Sequence, residues 1–399
     1  MTERIPPQET DRIAIAYVVH TFDVGGLEHC IARLVNHLDR NAYEPSIVCL
    51  NRNGSAAQWL ETDDTPIREL HKRSGNDPFV IIKLARLLRA QRFDIVHSHN
   101  WGTLVETSLA RKWAGVKCHV HAVRGMNFGQ RDSARFRNYL RNRTSRWALK
   151  RCDCLVAVAE SVRDDMTTSY GMLDRAIRVI PNGVDGRSGQ VPQEQVARLR
   201  KQIEMPAAEI VFGTVGRLVH VKNLTSAIEA IARLVQSGVD AHFVIVGDGP
   251  DRSILERHAA AANVSRRIHF AGHQTNVDEW LTLFDVYVNS SLSEGMSQSI
   301  LEAMASGIPM IVTDVGESSV LAGGDQACGL IVPADNTDAL YGAMAELAAS
   351  SHRRRELGEN GLVRHNERYG VLSMINAYES LYRELTGNTV STPAVASNT

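Results

Sequence analysis

Short runs rich in Val and Ile alternate along this chain with longer stretches patterned as amphipathic helices, and the alternation runs through twice. IAIAYVVH, SIVCL, DIVHSHN, CHVHAVRG and CLVAVAE form a first series of strands; IVFGTVG, HFVIVGDGP, RIHFAGH, VYVNSS and MIVTDVG form a second. Such runs show little polar alternation, as strands buried on both faces do, and a βαβ rhythm of them dictates parallel, doubly wound sheets. GGLEHCIARLVNHLD, after the first strand, puts Ile31, Leu34, Val35 and Leu38 on one helical face. At 399 residues the chain is too long for one ordinary core, so two α/β domains are expected. The polar, non-periodic RSGQVPQEQ after VIPNGVDG reads as the join. The expected division is a first domain at 1–186, a linker at 187–206 and a second domain at 207–368. A terminal helix at 369–386 is placed to pack back on the first domain, and a disordered tail follows at 387–399. Two such domains facing each other leave a cleft at the carboxyl ends of their strands, where open parallel sheets bind ligands.

Composition removes several classes of function. The formal net charge of −1 argues against a nucleic-acid binder. The N-terminus MTERIPPQETDR lacks the apolar core of a signal peptide, and no run reaches the ~18 apolar residues of a membrane span. The six cysteines are scattered, mostly in apolar runs, and read as small buried hydrophobes in a reducing compartment. Cys152 and Cys154 have no second pair near them, so a zinc site is not expected. Of the strand histidines, His97 shares a face with His99 and His119 with His121; HSH and HVH alternate faces and do not converge as metal ligands do.

The stretch EGMSQSILE carries the most chemistry. Glu294 and Gly295 form a turn after a strand, Met296 follows, and Ser297 is a fair N-cap for a helix that stops at Gly307 and Pro309. The free amides and dipole of that helix N-terminus attract an anion such as a diphosphate. Glu302 lies about five residues in, roughly 7–8 Å along the axis, about the distance from a diphosphate to its ribose. A capped surface helix with a solvated Glu is the bland alternative, but Glu302 is flanked by Ile300, Leu301, Ala303 and Met304. In VGRLVHVKN, Arg217 and Lys222 bracket a loop before a helix and can clamp a diphosphate; alone, they could equally be two solvated cations. Gly25 and Gly26, in FDVGGLEH, let backbone amides approach a phosphate or sugar, though the loop is no dinucleotide fingerprint. GDGP at 247–250 is a similar turn. The basic segment at 131–151, opening on Arg131 and closing on Arg151, interleaves Phe136, Tyr139, Leu140, Trp147 and Leu149 with cations. It suits an anionic membrane surface or lipid-phosphate acceptor, or else a surface helix whose apolar side covers the core.

Taken together, GGLE, PNGVD at 181–185, GRLVHVKN, VGDGP and the two glutamates spaced E-x7-E resemble the retaining glycosyltransferases of the GT-B fold, family four, over nearly the whole chain. The opening looks most like sugar transferases of bacterial exopolysaccharide and exosortase-associated clusters. The resemblance implies transfer from a nucleotide-diphosphate sugar to a glycan or lipid-linked acceptor, in the cytoplasm or at the inner face of the plasma membrane, with no metal or other cofactor. Arg217 and Lys222 would hold the diphosphate, Glu294 the sugar and Glu302 the ribose, with Gly295, Met296 and Ser297 beside them. Gly25 and Gly26 would approach the phosphates or acceptor from the other domain. Where many relatives carry His-Gly, this chain has Arg124-Gly125, which leaves His121 or Arg124 as candidates for the group near the reacting sugar. Asn289 stands where relatives often have Pro, and VGESS at 315–319 replaces a VGGNPE-like sequence. A sugar-nucleotide epimerase of the same architecture, or an inactive nucleotide-sugar-binding protein, would carry many of the same residues.

Overall fold

The computed structural model describes residues 12–75, 77–124, 135–186, 191–206 and 210–387, with backbone alone at 135–141. The described residues divide into two compact units, one running to Ile180 and resuming at Met374, the other Pro181–Ser373.

The first unit holds seven strands: β1 Ile13–Val19, β2 Tyr43–Cys49, β3 Ile67–Glu69, β4 Ile95–His99, β5 Cys118–Val123, β6 Cys154–Ala157 and β7 Ile177–Val179. They pair in parallel in the order β3-β2-β1-β4-β5-β6-β7. β4 and β5 are buried along their full length, as the lack of polar alternation requires. The helix Gly26–His37 turns Cys30, Ile31, Leu34 and Val35 inward. Val371–Thr386 buries Met374, Ile375, Tyr378, Leu381 and Tyr382, a stripe of helical period. Tyr382 meets Tyr17 of β1 at 3.1 Å and His97 of β4 at 2.8 Å, so this last helix covers one face of the first sheet.

The second unit holds six strands: β8 Ile210–Val215, β9 Ala241–Val246, β10 Ile268–Gly272, β11 Val286–Asn289, β12 Met310–Thr313 and β13 Gly329–Val332. Their order is β10-β9-β8-β11-β12-β13, again all parallel. Its core joins Phe212, Phe243 and Ile245 of the sheet to Ile228 and Ile231 of the helix Leu224–Gln236 and to Met344 and Leu347 of Thr337–Ala349.

Three short strands, β3, β7 and β13, escape the sequence pattern. Two read IRE and IRV, and all three lie at sheet edges, where one flank has no strand to pair with. The division also falls earlier than 186: PNGVD belongs to the second unit, where Val184 bridges Gly370 and its carbonyl meets His365 Nε2 at 3.1 Å. Within the expected linker, Gln193–Gln202 is a helix that buries Leu199; Ile203, just after it, accepts from the His269 ring at 3.0 Å. Its polarity hides one turn of packing that a single leucine supplies. The expected disordered tail lies, apart from Gly387, outside the described residues, as does Gly125.

Candidate functional site

In both sheets the strand order reverses beside the first strand of the series: between β1 and β4 in the first unit, and between β8 and β11 in the second. Connections leave to opposite sides at such a point, and a crevice opens outside the carboxyl ends of the two strands. In the second unit a pocket lies there. It is lined by Thr214, Val215 and Gly216 at the end of β8, Arg217 and Lys222 of the following loop, and Asn289, Ser290 and Ser291 at the end of β11.

Each wall of this pocket is held by identifiable bonds. Leu218 N–H donates to the Asp248 carbonyl and Asp251 N–H to the Leu218 carbonyl, both within 3.1 Å, so GDGP braces the Arg217 loop. Gly247 has φ +133, and a β-carbon there would fall onto the Gly216 carbonyl; only glycine allows the two turns to touch. Ser290 Oγ donates to the Lys222 carbonyl at 2.9 Å, and Leu292 N–H to the Val221 carbonyl at 2.8 Å, tying this loop to the end of β11.

Lys222 Nζ forms an ion pair with Glu294 Oε1. The same oxygen accepts from Ser291 Oγ at 2.8 Å and from Asn289 Nδ2 at 3.3 Å. The turn carrying Glu294 is pinned from two sides. Glu317 N–H donates to the Gly295 carbonyl at 3.2 Å, and Gly316, at φ +53, has its α-carbon so near the Glu294 carbonyl that a side chain would not fit. On the other side, Asn182 donates its N–H to the Met296 sulfur at 3.3 Å and its amide to the Met296 carbonyl at 3.4 Å. PNGVD and VGESS therefore serve as the two buttresses of the glutamate turn.

Ser297 stands at the N-cap of the helix Gln298–Ala305, but its hydroxyl does not cap the helix; it meets Ser299 Oγ at 3.1 Å, and Ser299 in turn accepts from Tyr287 at 2.7 Å. With no acid in the first turn and no side-chain cap, the helix N-terminus presents its amides and positive dipole end. Glu302 is buried in the second turn, 6% exposed. Arg217 is exposed at the pocket rim and has no carboxylate partner among the described residues. The second unit thus assembles a candidate site: Arg217 and Lys222 line the pocket, Lys222 pairs with Glu294, and Gly295, Met296 and Ser297 lead from that glutamate into the helix that buries Glu302. Asn289, Ser290, Ser291, Asn182 and Gly316 complete it. The NSS run at a strand end was the available signal for the first three; the other two brace the backbone around Glu294 and Met296, which composition does not reveal.

The remaining candidates lie in the first unit. Gly25 is the N-cap of Gly26–His37, in extended backbone, with Glu28 in the first turn. His121 is fully buried; its Nδ1 meets Ser98 Oγ at 2.8 Å, and its Nε2 has no partner among the described residues. Burial pushes its pKa down to about 3. Ser98 also meets His119 Nε2 at 2.8 Å. The Arg124 guanidinium turns inward, 2.8 Å from Cys30 Sγ and 3.4 Å from the Tyr378 hydroxyl. Both groups are parts of packed polar clusters. Among the described residues no group of three or more His, Cys, Asp or Glu is arranged to hold a metal ion, and no helix is long and apolar enough to cross a membrane.

Comparison with known proteins bears on both units. The model of Glycosyltransferase Family 4 matches residues 24–187, and that of Glycosyl transferases group 1 matches residues 195–364. The chain is 29% identical over 247 residues to the lipopolysaccharide core biosynthesis mannosyltransferase LpsB of Rhizobium meliloti (strain 1021), covering 60% of this chain and 68% of that protein. It is 28% identical over 276 residues to the UDP-Gal:alpha-D-GlcNAc-diphosphoundecaprenol alpha-1,3-galactosyltransferase of Escherichia coli, covering 67% and 69%. The structure of Anabaena Alr3699/HepE in complex with UDP-glucose aligns over 93% of this chain and 99% of that one, with a TM-score of 0.80 and 18% identity.

Proposed function

The chain belongs to the family 4 glycosyltransferases, with the GT-B fold, and from that premise we propose that it moves a sugar, with retention of anomeric configuration, from a nucleotide-diphosphate sugar to a glycan or lipid-linked acceptor in bacterial cell-surface glycan synthesis. One observation carries the reading of the site. Two cations line a pocket outside the carboxyl ends of β8 and β11, where the strand order reverses, and one of them pairs with a hydrogen-bonded carboxylate three residues before an uncapped helix N-terminus.

In this reading Arg217 and Lys222 hold the diphosphate, together with the amides at the start of Gln298–Ala305. Glu294 accepts from sugar hydroxyls and Glu302 from the ribose, with Gly295, Met296 and Ser297 shaping the turn between them. Gly25 and Gly26 contribute backbone amides toward phosphate or acceptor. The bond from the anomeric carbon to the diphosphate oxygen breaks as the acceptor oxygen attacks from the same face. The acceptor proton passes to the departing diphosphate oxygen, whose growing charge the two cations stabilise. No step calls on a metal. The relatives' printed activities, on lipopolysaccharide core and on a diphosphoundecaprenol-linked sugar, support the acceptor class.

A thermal-shift screen with UDP-, GDP-, ADP- and dTDP-sugars identifies the donor, because a ligand stabilises by RT ln(1 + [L]/Kd). Transfer with that donor follows, with the anomeric configuration of the product read by NMR. Unchanged turnover in Glu294→Ala and Lys222→Ala variants would refute the assignment.

A membrane contact at the cytoplasmic face is also proposed. Trp113 and Trp147, 59% and 37% exposed, lie on the packed helices Trp101–Ala114 and Arg135–Leu149. Exposed Lys112, Arg146, Lys150 and Arg151 accompany them, with Arg151 over the Trp147 ring at 4.1 Å. Exposed indoles among cations suit an anionic interface. Co-sedimentation with phosphatidylglycerol vesicles but not phosphatidylcholine vesicles is expected, and its loss in a Trp113→Ser/Trp147→Ser variant.

A further inference from the structure

The ion pair that Lys222 of the pocket makes with Glu294 has a consequence beyond holding the donor. Three protein groups, Lys222 Nζ, Ser291 Oγ and Asn289 Nδ2, converge on Oε1 of Glu294, while Oε2 receives no hydrogen bond among the described residues. Both partners are shielded, with side chains 23% and 11% exposed, so the attraction between them is only partly screened. Ser290 Oγ donates to the Lys222 carbonyl and Gly316 packs against the Glu294 carbonyl, which holds the backbones of the two partners in place. In the ligand-free protein the ammonium that the diphosphate needs is therefore already engaged by a carboxylate.

We propose that Glu294 acts against the spent nucleotide: it competes with the diphosphate for Lys222 and drives release of the nucleoside diphosphate once the sugar has left. This rests on the donor-site reading above. With a nucleotide sugar bound, the sugar hydroxyls donate to Oε2 and compensate the carboxylate, while Lys222 divides its three N–H donors between Glu294 and the diphosphate. After transfer those hydroxyls are gone. The carboxylate then faces an anion without an intervening donor, and it reclaims the ammonium. The same residue that orients the substrate thus weakens the product.

The test is calorimetric binding of UDP, GDP, ADP and dTDP, none carrying a sugar, to the wild-type chain and to Glu294→Gln, Lys222→Gln and the double variant. Glutamine keeps the shape and removes the charge. Whichever nucleotide the wild type binds is expected to bind Glu294→Gln about fivefold more tightly, the scale of a partly screened ion pair. That gain is expected to vanish in the Lys222→Gln background, since the competition runs through the ammonium. In steady-state transfer, Glu294→Gln is expected to show lower turnover together with stronger inhibition by the same nucleotide. Unchanged or weaker binding by Glu294→Gln, or a gain that persists without Lys222, overturns the proposal and leaves the donor site standing. Failure of all four nucleotides to bind the wild type overturns both.

Discussion

The two sheets share a wiring and differ in what they do with it. Each reverses its strand order beside its first strand. At that point the second unit has an open pocket lined by Arg217, Lys222 and serine hydroxyls. On the corresponding strands of the first unit, β1 and β4, Tyr17, His97 and His99 are buried against Tyr378 and Tyr382 of the last helix. One reversal carries polar groups that line an open pocket; on the strands of the other, polar groups mostly face one another. The helix N-termini differ in the same sense: Gly26–His37 carries Glu28 in its first turn, whereas Gln298–Ala305 carries no acid there. Topology supplies a crevice twice, and residue chemistry decides how each is used.

Acid should break this comparison most forcefully. Burial lowers the pKa of His97, His99 and His119 well below the usual value, and that of His121 to about 3. Unfolded histidine titrates near pH 6.5, so below that pH the unfolded chain takes up protons that the folded first unit refuses. Stability is whole above about pH 6.5 and falls as pH drops, by about 1.4 kcal/mol for each histidine at pH 5.5, roughly 6 kcal/mol for the four. The second unit has His242, lowered to about 4, and His269, also lowered by burial. Hydrogen exchange read by mass spectrometry at pH 7.5 and 5.5, corrected for intrinsic exchange, should show the first unit losing about twice as much protection free energy as the second.

Lys222→Ala tests the open side. Turnover should fall about 10²–10³-fold, as when one group aimed at a developing charge is removed. Gly316→Ala should cost about 2 kcal/mol in stability, because φ is positive there and a β-carbon meets the Glu294 carbonyl. It should also lower turnover, since the glutamate turn must shift; urea unfolding and the transfer assay read the two effects separately. Tyr382→Phe sharpens the closed side with the smallest effect. Leaving Tyr17 and His97 each short of a partner should cost about 1 kcal/mol, with the donor KM unchanged.

The fold was legible because burial on both faces of a parallel sheet leaves uninterrupted apolar runs such as IVFGTV and HFVIV, which no polar surface element imitates. As candidates, Lys222, Glu294 and Glu302 stood out in the sequence because they are charges set beside apolar strand ends and in an apolar helix, where charge is costly without a partner. What escaped detection braces the backbone. Nothing in the letters of Asn182 or Gly316 announces a contact to Met296 or to the Glu294 carbonyl, since the partners lie over a hundred residues away in one case and beyond a helix and a strand in the other. The surroundings of the β4 histidines were hidden for a related reason. At the carboxyl end of a strand a polar side chain reads as facing a crevice, and only the last helix, nearly three hundred residues on, reveals that the His97 and His99 face is covered.

That last helix means the first unit is written in two places. The chain leaves it at Ile180, builds the whole of Pro181–Ser373, and returns at Met374 to supply Tyr378 and Tyr382. During synthesis the second unit is complete in sequence before the first. A nascent chain therefore carries Tyr17, His97 and His99 uncapped until its closing residues emerge, and the unit begun earliest is the last to be finished. Cutting the gene after Ile180 would yield an unsealed sheet, and an excised first unit needs the terminal helix grafted back to be whole.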